Sequence, residues 1–167
     1  SNPEFLSTKE WASVTAGTAM ATYAILNGLG RIIWGTISDK IGRKLAIFLM
    51  CLLQGIVMLF LFKLGATVAG LIFAAAFIGF NFGGNFALFP AATADFFGNK
   101  TVGKNYGLVF FAYGIAGILG PQLAGVFKDA AKTATEPSAW ITPFVIAGIA
   151  CLVGAVLIIL AKPPKKA

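Results

Sequence analysis

Histidine is absent from this chain, and charge of either sign is scarce. Of 167 residues, 11% are charged and only six are acidic. Without histidine there is no imidazole to ligate a metal, act as a general base or activate a nucleophile. The two cysteines, Cys51 and Cys151, lie singly inside apolar stretches with no ligand spacing, so they read as small buried hydrophobes. The interior acids are equally thin: Asp39, Asp95 and Asp129 all fall at the ends of apolar runs or in loops. No paired carboxylates and no nucleophile beside a base are visible, which argues against an enzyme. Neither a metal ion nor an organic cofactor is expected.

The shortage of charge also excludes a soluble domain. The chain is 58% hydrophobic with a mean hydropathy of +0.86, and too few polar side chains remain to cover that apolar surface. Apolar runs predict an all-α, polytopic membrane protein with five spans, at about 12–37, 45–62, 67–92, 105–127 and 139–161. Each approaches or exceeds the ~20 residues that cross a hydrocarbon core. The net charge of +7 does not point to nucleic acid, because the basic residues bunch at span ends. Lys40, Arg43, Lys44, Lys100, Lys104, Lys162, Lys165 and Lys166 fall on one side. Lys9, Lys63, Lys128 and Lys132 fall on the other, among Glu4, Glu10, Asp129 and Glu136. The richer side is expected in the cytoplasm, with the C-terminus there and the chain in the cell (inner) membrane. An outside start, an odd span count and an initial Ser1 suggest a piece of something longer.

The spans are of two kinds. The second and fifth are apolar enough to face lipid all round, whereas the first, third and fourth carry glycine, asparagine and tyrosine suited to close packing or a polar cavity. In the first, Tyr23, Asn27 and Arg31 recur every four residues and share a helix face. Arg31 lies about 9 Å inside the span end at Ile37, at ~1.5 Å per residue. Two readings compete. Its stem could snorkel to the headgroups, or its planar fork could face a water-filled path and hold a carboxylate. The polar row and the lack of an acidic partner favour the second. Asn81 and Asn85 share a face of the third span near Phe82 and Phe86, suited equally to a cavity wall or to interhelical hydrogen bonding.

The stretch Gly35 to Lys44, "GTISDKIGRK", resembles the G-x-x-(S/A)-D-(R/K)-x-G-(R/K)-(R/K) loop of the major facilitator superfamily, with matches at Gly35, Ser38, Asp39, Lys40, Gly42, Arg43 and Lys44. In that family the loop follows the second and eighth of twelve helices. With four more spans after it and no N-terminal half before it, residues 1–167 resemble the eighth to twelfth helices, part of the C-terminal six-helix bundle. The stretches "NGLGRIIWGTISDKIGRK" and "FGGNFALFPAATADFFGNKTVGKNYGLVFFAYGIAGILGP" are similar to the oxalate/formate antiporter group and its monocarboxylate-transporting relatives.

The resemblance implies a secondary transporter for a small organic anion such as lactate, pyruvate or formate, working by alternating access, with oxalate/formate-type exchange as the alternative. It assigns the binding arginine of the eighth helix to Arg31, beside Asn27 and Tyr23. Where some members carry a lysine partway along the eleventh helix, "FFAYGIAG" has Tyr113, which argues against a dicarboxylate; Lys128 lies at the outer end of that span. Monocarboxylate transporters of animals have an aspartate four residues before the arginine. Asn27 stands there instead, leaving proton symport and exchange both open. The resemblance also implies a cytoplasmic gate built on Gly35, Asp39, Gly42, Arg43 and Lys44, with Asp39 meeting the start of the eleventh helix near Gly103 to Asn105. Expected partners are a small carboxylate, a proton as candidate co-transported ion, the missing N-terminal half and the lipid bilayer. A non-transporting membrane scaffold is the competing class.

Overall fold

The computed structural model describes residues 8–130 and 141–162, all of it helix apart from short turns. The elements are α1 (Thr8–Ile41), α2 (Arg43–Leu64), α3 (Val68–Phe97), a 3-10 turn (Asn99–Thr101), α4 (Val102–Ala130) and α5 (Ile141–Leu160). Gly42 alone separates α1 from α2, and Gly98 alone separates α3 from the 3-10 turn. Both adopt positive φ with an extended ψ (φ 89°, ψ 150° and φ 80°, ψ 161°), a region closed to residues with a Cβ. Such tight reversals return each helix antiparallel beside its predecessor. Between α2 and α3, Gly65 N–H donates to the Leu61 carbonyl at 2.8 Å, and Thr67 Oγ1 caps α3 by accepting from Gly70 N–H at 3.0 Å.

Among the described residues four helices are long and apolar enough to cross a membrane: α2, α3, the 3-10 turn with α4, and α5. With 34 residues α1 has ample length but falls short in apolarity, because threonine, glycine, Asn27 and Arg31 interrupt its aliphatic residues. Three of its threonines need no water. Thr18, Thr22 and Thr36 each donate to the carbonyl four residues back, at 2.9, 2.8 and 2.9 Å, which hides the hydroxyl within the helix.

Two helix pairs dominate the packing, α1 with α3 and α2 with α5. Between α2 and α5 the approach is set by facing glycines: a Cβ on Gly55 would stand 3.0 Å from the Gly148 carbonyl oxygen, and one on Gly148 3.1 Å from that of Gly55. The pairs join in a core of Trp34, Ala46, Ile47, Met50, Leu88 and Ala92, near the α1–α2 turn. Elsewhere the exposed side chains are largely Leu, Ile, Val and Phe, as on α5 at Val153, Val156 and Leu157. A bilayer accepts that surface where water would not.

Candidate functional site

The row on α1 is held against α3 by glycine. Cβ atoms on Gly79 and Gly83 would lie 2.3 and 2.0 Å from the carbonyl oxygens of Tyr23 and Asn27, and one on Gly30 would lie 2.0 Å from that of Phe80. Only bare Cα atoms permit this contact, which brings backbone oxygen onto Cα–H groups in both directions. Aromatic side chains of α3 then rise beside the polar face of α1. The Tyr23 and Phe82 rings are 6.1 Å apart, and Arg31 Cζ lies 4.9 Å from the Phe86 ring centroid. Arg31 Nη2 donates to Asn27 Oδ1 at 3.3 Å. Within the row Arg31 and Asn27 are joined directly, while Tyr23 packs on Phe82 of α3.

No carboxylate pairs with Arg31 among the described residues, whose ion pairs centre instead on Arg43. Asn27 is neutral and engages one edge of the guanidinium, while Phe86 offers its π face. The remaining N–H donors are free to meet a planar anion. Pro90, inside α3, lacks the N–H that would bond the Phe86 carbonyl one turn earlier. The helix is thus locally unbonded where it carries the ring under Arg31.

Beyond Phe86 the aromatic character continues onto α4. Phe86 meets Phe82 and Tyr113 edge-on at 5.4 and 6.0 Å, Phe110 and Tyr113 lie 5.1 Å apart, and Tyr106 and Phe110 lie 5.7 Å apart. With Asn85 these rings line a half-open cavity of about 270 Å³ between α3 and α4. Tyr113 and Asn85 thus stand around one space, adjoining Arg31 through Phe86. Asn85 also borders a second cavity of about 240 Å³, with Gln54, Cys51 and Cys151.

Asn81 also borders that second cavity, but its amide is engaged between helices. It is only 2% exposed, its Oδ1 accepts from Trp34 Nε1 and its Nδ2 donates to Gln54 Oε1, both at 3.1 Å. One amide thereby ties α1, α3 and α2 together, which favours the interhelical reading of this residue over the cavity reading. Lys128 falls near the end of α4, where its side chain lies outside the described residues.

At the α1–α2 turn the motif residues form a cluster around Arg43. Its Nη2 lies 2.6 Å from Asp39 Oδ1, its Nε donates to Asp95 Oδ2 at 3.1 Å, and its Nη1 donates to the buried Ser38 hydroxyl. The same hydroxyl donates to the Gly35 carbonyl at 2.8 Å. Lys44 Nζ reaches the Ala161 carbonyl at 2.8 Å, placing a cation at the C-terminal end of α5, where the helix dipole favours it. Among the described residues Asp39 meets Arg43, and no ion pair or hydrogen bond joins it to Gly103 or Asn105. Asn105 bonds Thr101 instead, at 3.2 Å. Gly35 leaves ordinary room, with the Ala87 Cβ 3.9 Å from where its own Cβ would stand, so steric contact with α3 does not explain that glycine.

Sequence reasoning passed over three members of these clusters. Asp95 was readable as a lone acid at the end of the third span, on the side of the basic loop. Trp34 and Gln54 carried no such signal, because their roles depend on the register between helices.

The Major Facilitator Superfamily profile matches residues 2–167. Relatives include the uncharacterized MFS-type transporter YhjX of Escherichia coli, 37% identical over 63% of this chain and 26% of that protein. The oxalate:formate antiporter of Oxalobacter formigenes is 35% identical over 75% of the chain and 28% of that protein. Human monocarboxylate transporter 14 is 31% identical over 84% of the chain and 26% of that protein. The chain thus spans about a quarter of the length of these relatives. With the glycine-locked helical pairs, the membrane-spanning lengths and the Gly35–Lys44 turn all in place, this chain is an integral membrane protein that belongs to the major facilitator superfamily of transporters.

Proposed function

We propose that this chain is part of the C-terminal domain of a secondary active transporter, corresponding to its eighth to twelfth helices, and that it moves a small monocarboxylate such as lactate, pyruvate or formate. The observation that carries the reading is Arg31. It is a guanidinium on a helix within the membrane, oriented by Asn27 and Phe86, with no acidic partner among the described residues. An unpaired cation at that depth is costly, and a bound carboxylate neutralises it through two charge-assisted hydrogen bonds. Loading then lowers the cost of carrying the site through the rocking motion of alternating access. Relatives named for oxalate:formate exchange, monocarboxylate transport and pyruvate carriage support the substrate class.

The Arg43 cluster, taken as cytoplasmic, serves as the gate. It couples the α1–α2 turn to the end of α3, so a shift of one helix strains the ion pairs of the other. The rest of the transporter supplies the opposing half, and with the C-terminus in the cytoplasm the site opens in turn to each side of the inner membrane.

The full-length protein in proteoliposomes tests the anion grip. Arg31→Lys keeps the charge but loses the fork, and Arg31→Ala loses both. Uptake of labelled pyruvate, lactate or formate should fall at least about tenfold in Arg31→Lys and vanish in Arg31→Ala. Wild-type uptake rates in Arg31→Ala would overturn the proposal.

A further inference from the structure

We infer that Cys51 and Cys151 form a site for a soft monovalent metal ion of the copper(I) class, bridging α2 and α5 through two thiolates, with the Met50 thioether as a third sulfur. Neither cysteine makes a site singly, and the two lie far apart in the chain. The fold brings both onto the wall of one half-open cavity of about 240 Å³, together with Met50, Gln54 and Asn85. Arg31, Asn27 and Tyr23 are not among the described residues of that wall. The inference therefore stands apart from the anion reading, and uptake is not its readout.

The pairing follows from the register of the two helices. They run antiparallel: Lys44, at the start of α2, reaches the Ala161 carbonyl just past the end of α5, and Gly55 faces Gly148. Cys51 lies four residues before Gly55, and Cys151 three residues after Gly148. Each is thus about one turn from the glycine contact, displaced along the axes in the same direction by ~5 Å. The helices approach there to backbone contact, a Cβ on Gly55 standing 3.0 Å from the Gly148 oxygen, so two short side chains one turn on can reach one ion.

The donor set selects the metal. Thiolate and thioether sulfur favour copper(I), and the described wall offers three sulfurs with no imidazole or carboxylate beside them. Zinc asks for four nitrogen, sulfur or carboxylate ligands, more than these residues supply. Binding moves protons and no electrons: each S–H breaks heterolytically, both protons leave to water, and two S–Cu(I) bonds form. One copper(I) with two thiolates keeps a single negative charge, which amide N–H donors can stabilise. Gln54 has its oxygen engaged by Asn81 at 3.1 Å, so its amide nitrogen is what it offers, and Asn85 brings a second amide to the cavity.

The test uses the full-length protein in detergent, without oxygen and with ascorbate, titrated with copper(I) against a chromophoric copper(I) chelator. The wild type should hold one equivalent that Cys51→Ala and Cys151→Ala each lose. Either substitution should weaken that equivalent at least about 100-fold, because removing a mere supporting group already costs 10–100-fold. The double variant should bind no more weakly than either single one, since the two thiols act on one ion. Losses that add, or binding unchanged in either variant, would overturn the inference. A second measurement needs no substitution: maleimide labelling of the wild type, read by peptide mass spectrometry. Copper(I) should protect Cys51 and Cys151 together over the same range of metal concentration. Protection of one alone or of neither would overturn the paired site, and equal protection by zinc would overturn the assignment to a soft monovalent ion. If a variant does not fold, the labelling decides.

Discussion

Replacing Gly83 by alanine should disrupt the site from a position that never touches the substrate. The new Cβ would stand 2.0 Å from the Asn27 carbonyl oxygen, against the 3.4 Å where ordinary contact begins, so α1 and α3 must part locally by about 1.4 Å. The obstructing atom is backbone and cannot rotate aside as a side chain would. Overpacking of this kind costs about 1–3 kcal/mol, and the upper end applies where backbone must move. Alanine recovers up to about 1 kcal/mol of helix propensity, leaving a net loss of about 2 kcal/mol. The same displacement separates Arg31 from Phe86, since both residues lie within a turn of the contact. Gly154→Ala is the reference, because no atom lies within 4 Å of where its Cβ would stand. The assay is paired: apparent melting temperature of the full-length protein in detergent, and initial anion uptake in proteoliposomes. Gly83→Ala should melt several degrees below Gly154→Ala and lose most uptake. If the two variants match in both readouts, the close backbone approach is refuted, and with it the account of how α3 positions Arg31.

Asn27→Asp would give Arg31 an internal carboxylate in place of an amide oxygen 3.3 Å away; competition worth ~1 kcal/mol in water or more inside the protein should raise the KM for anion uptake roughly five- to tenfold at neutral pH, recovering as pH falls and the new carboxyl is protonated. Asp95→Asn removes one of the two carboxylates on Arg43, both exposed, so the melting temperature should move little, at under about 1 kcal/mol. If the cluster is a gate, its uptake rate should still fall several-fold; an unchanged rate would remove the gating role. Asn81→Ala strands Trp34 Nε1 and Gln54 Oε1, at a cost of about 1–3 kcal/mol, and should lower the melting temperature while leaving the KM for the anion near the wild-type value. A large rise in KM would restore Asn81 to the cavity.

What the sequence could and could not announce follows from the range of the interactions involved. Tyr23, Asn27 and Arg31 were legible as a row because a helix repeats every 3.6 residues, and that geometry needs no knowledge of a partner. The Arg43–Asp39 pair is local in the same sense, lying across a single-residue turn. Asn81 was ambiguous because the same side chain can serve water or another helix. The choice depends on which residues of α1 and α2 arrive opposite it, and here Trp34 and Gln54 arrive. The glycines show the boundary most clearly. Gly83 and Gly154 have the same composition and the same helical context, yet one bears on a carbonyl and the other on open space. Sequence supplies the small residue, but the register between α1 and α3 decides whether its smallness is used. That register is itself set by the glycines, since each bulky side chain added at Gly79 or Gly83 would shift Asn27 and Arg31 along or away from the aromatic face of α3. The proposed anion grip and the ring-lined cavity therefore depend on the same contact: the residues that permit the backbones to touch also determine how far the guanidinium stands from the rings.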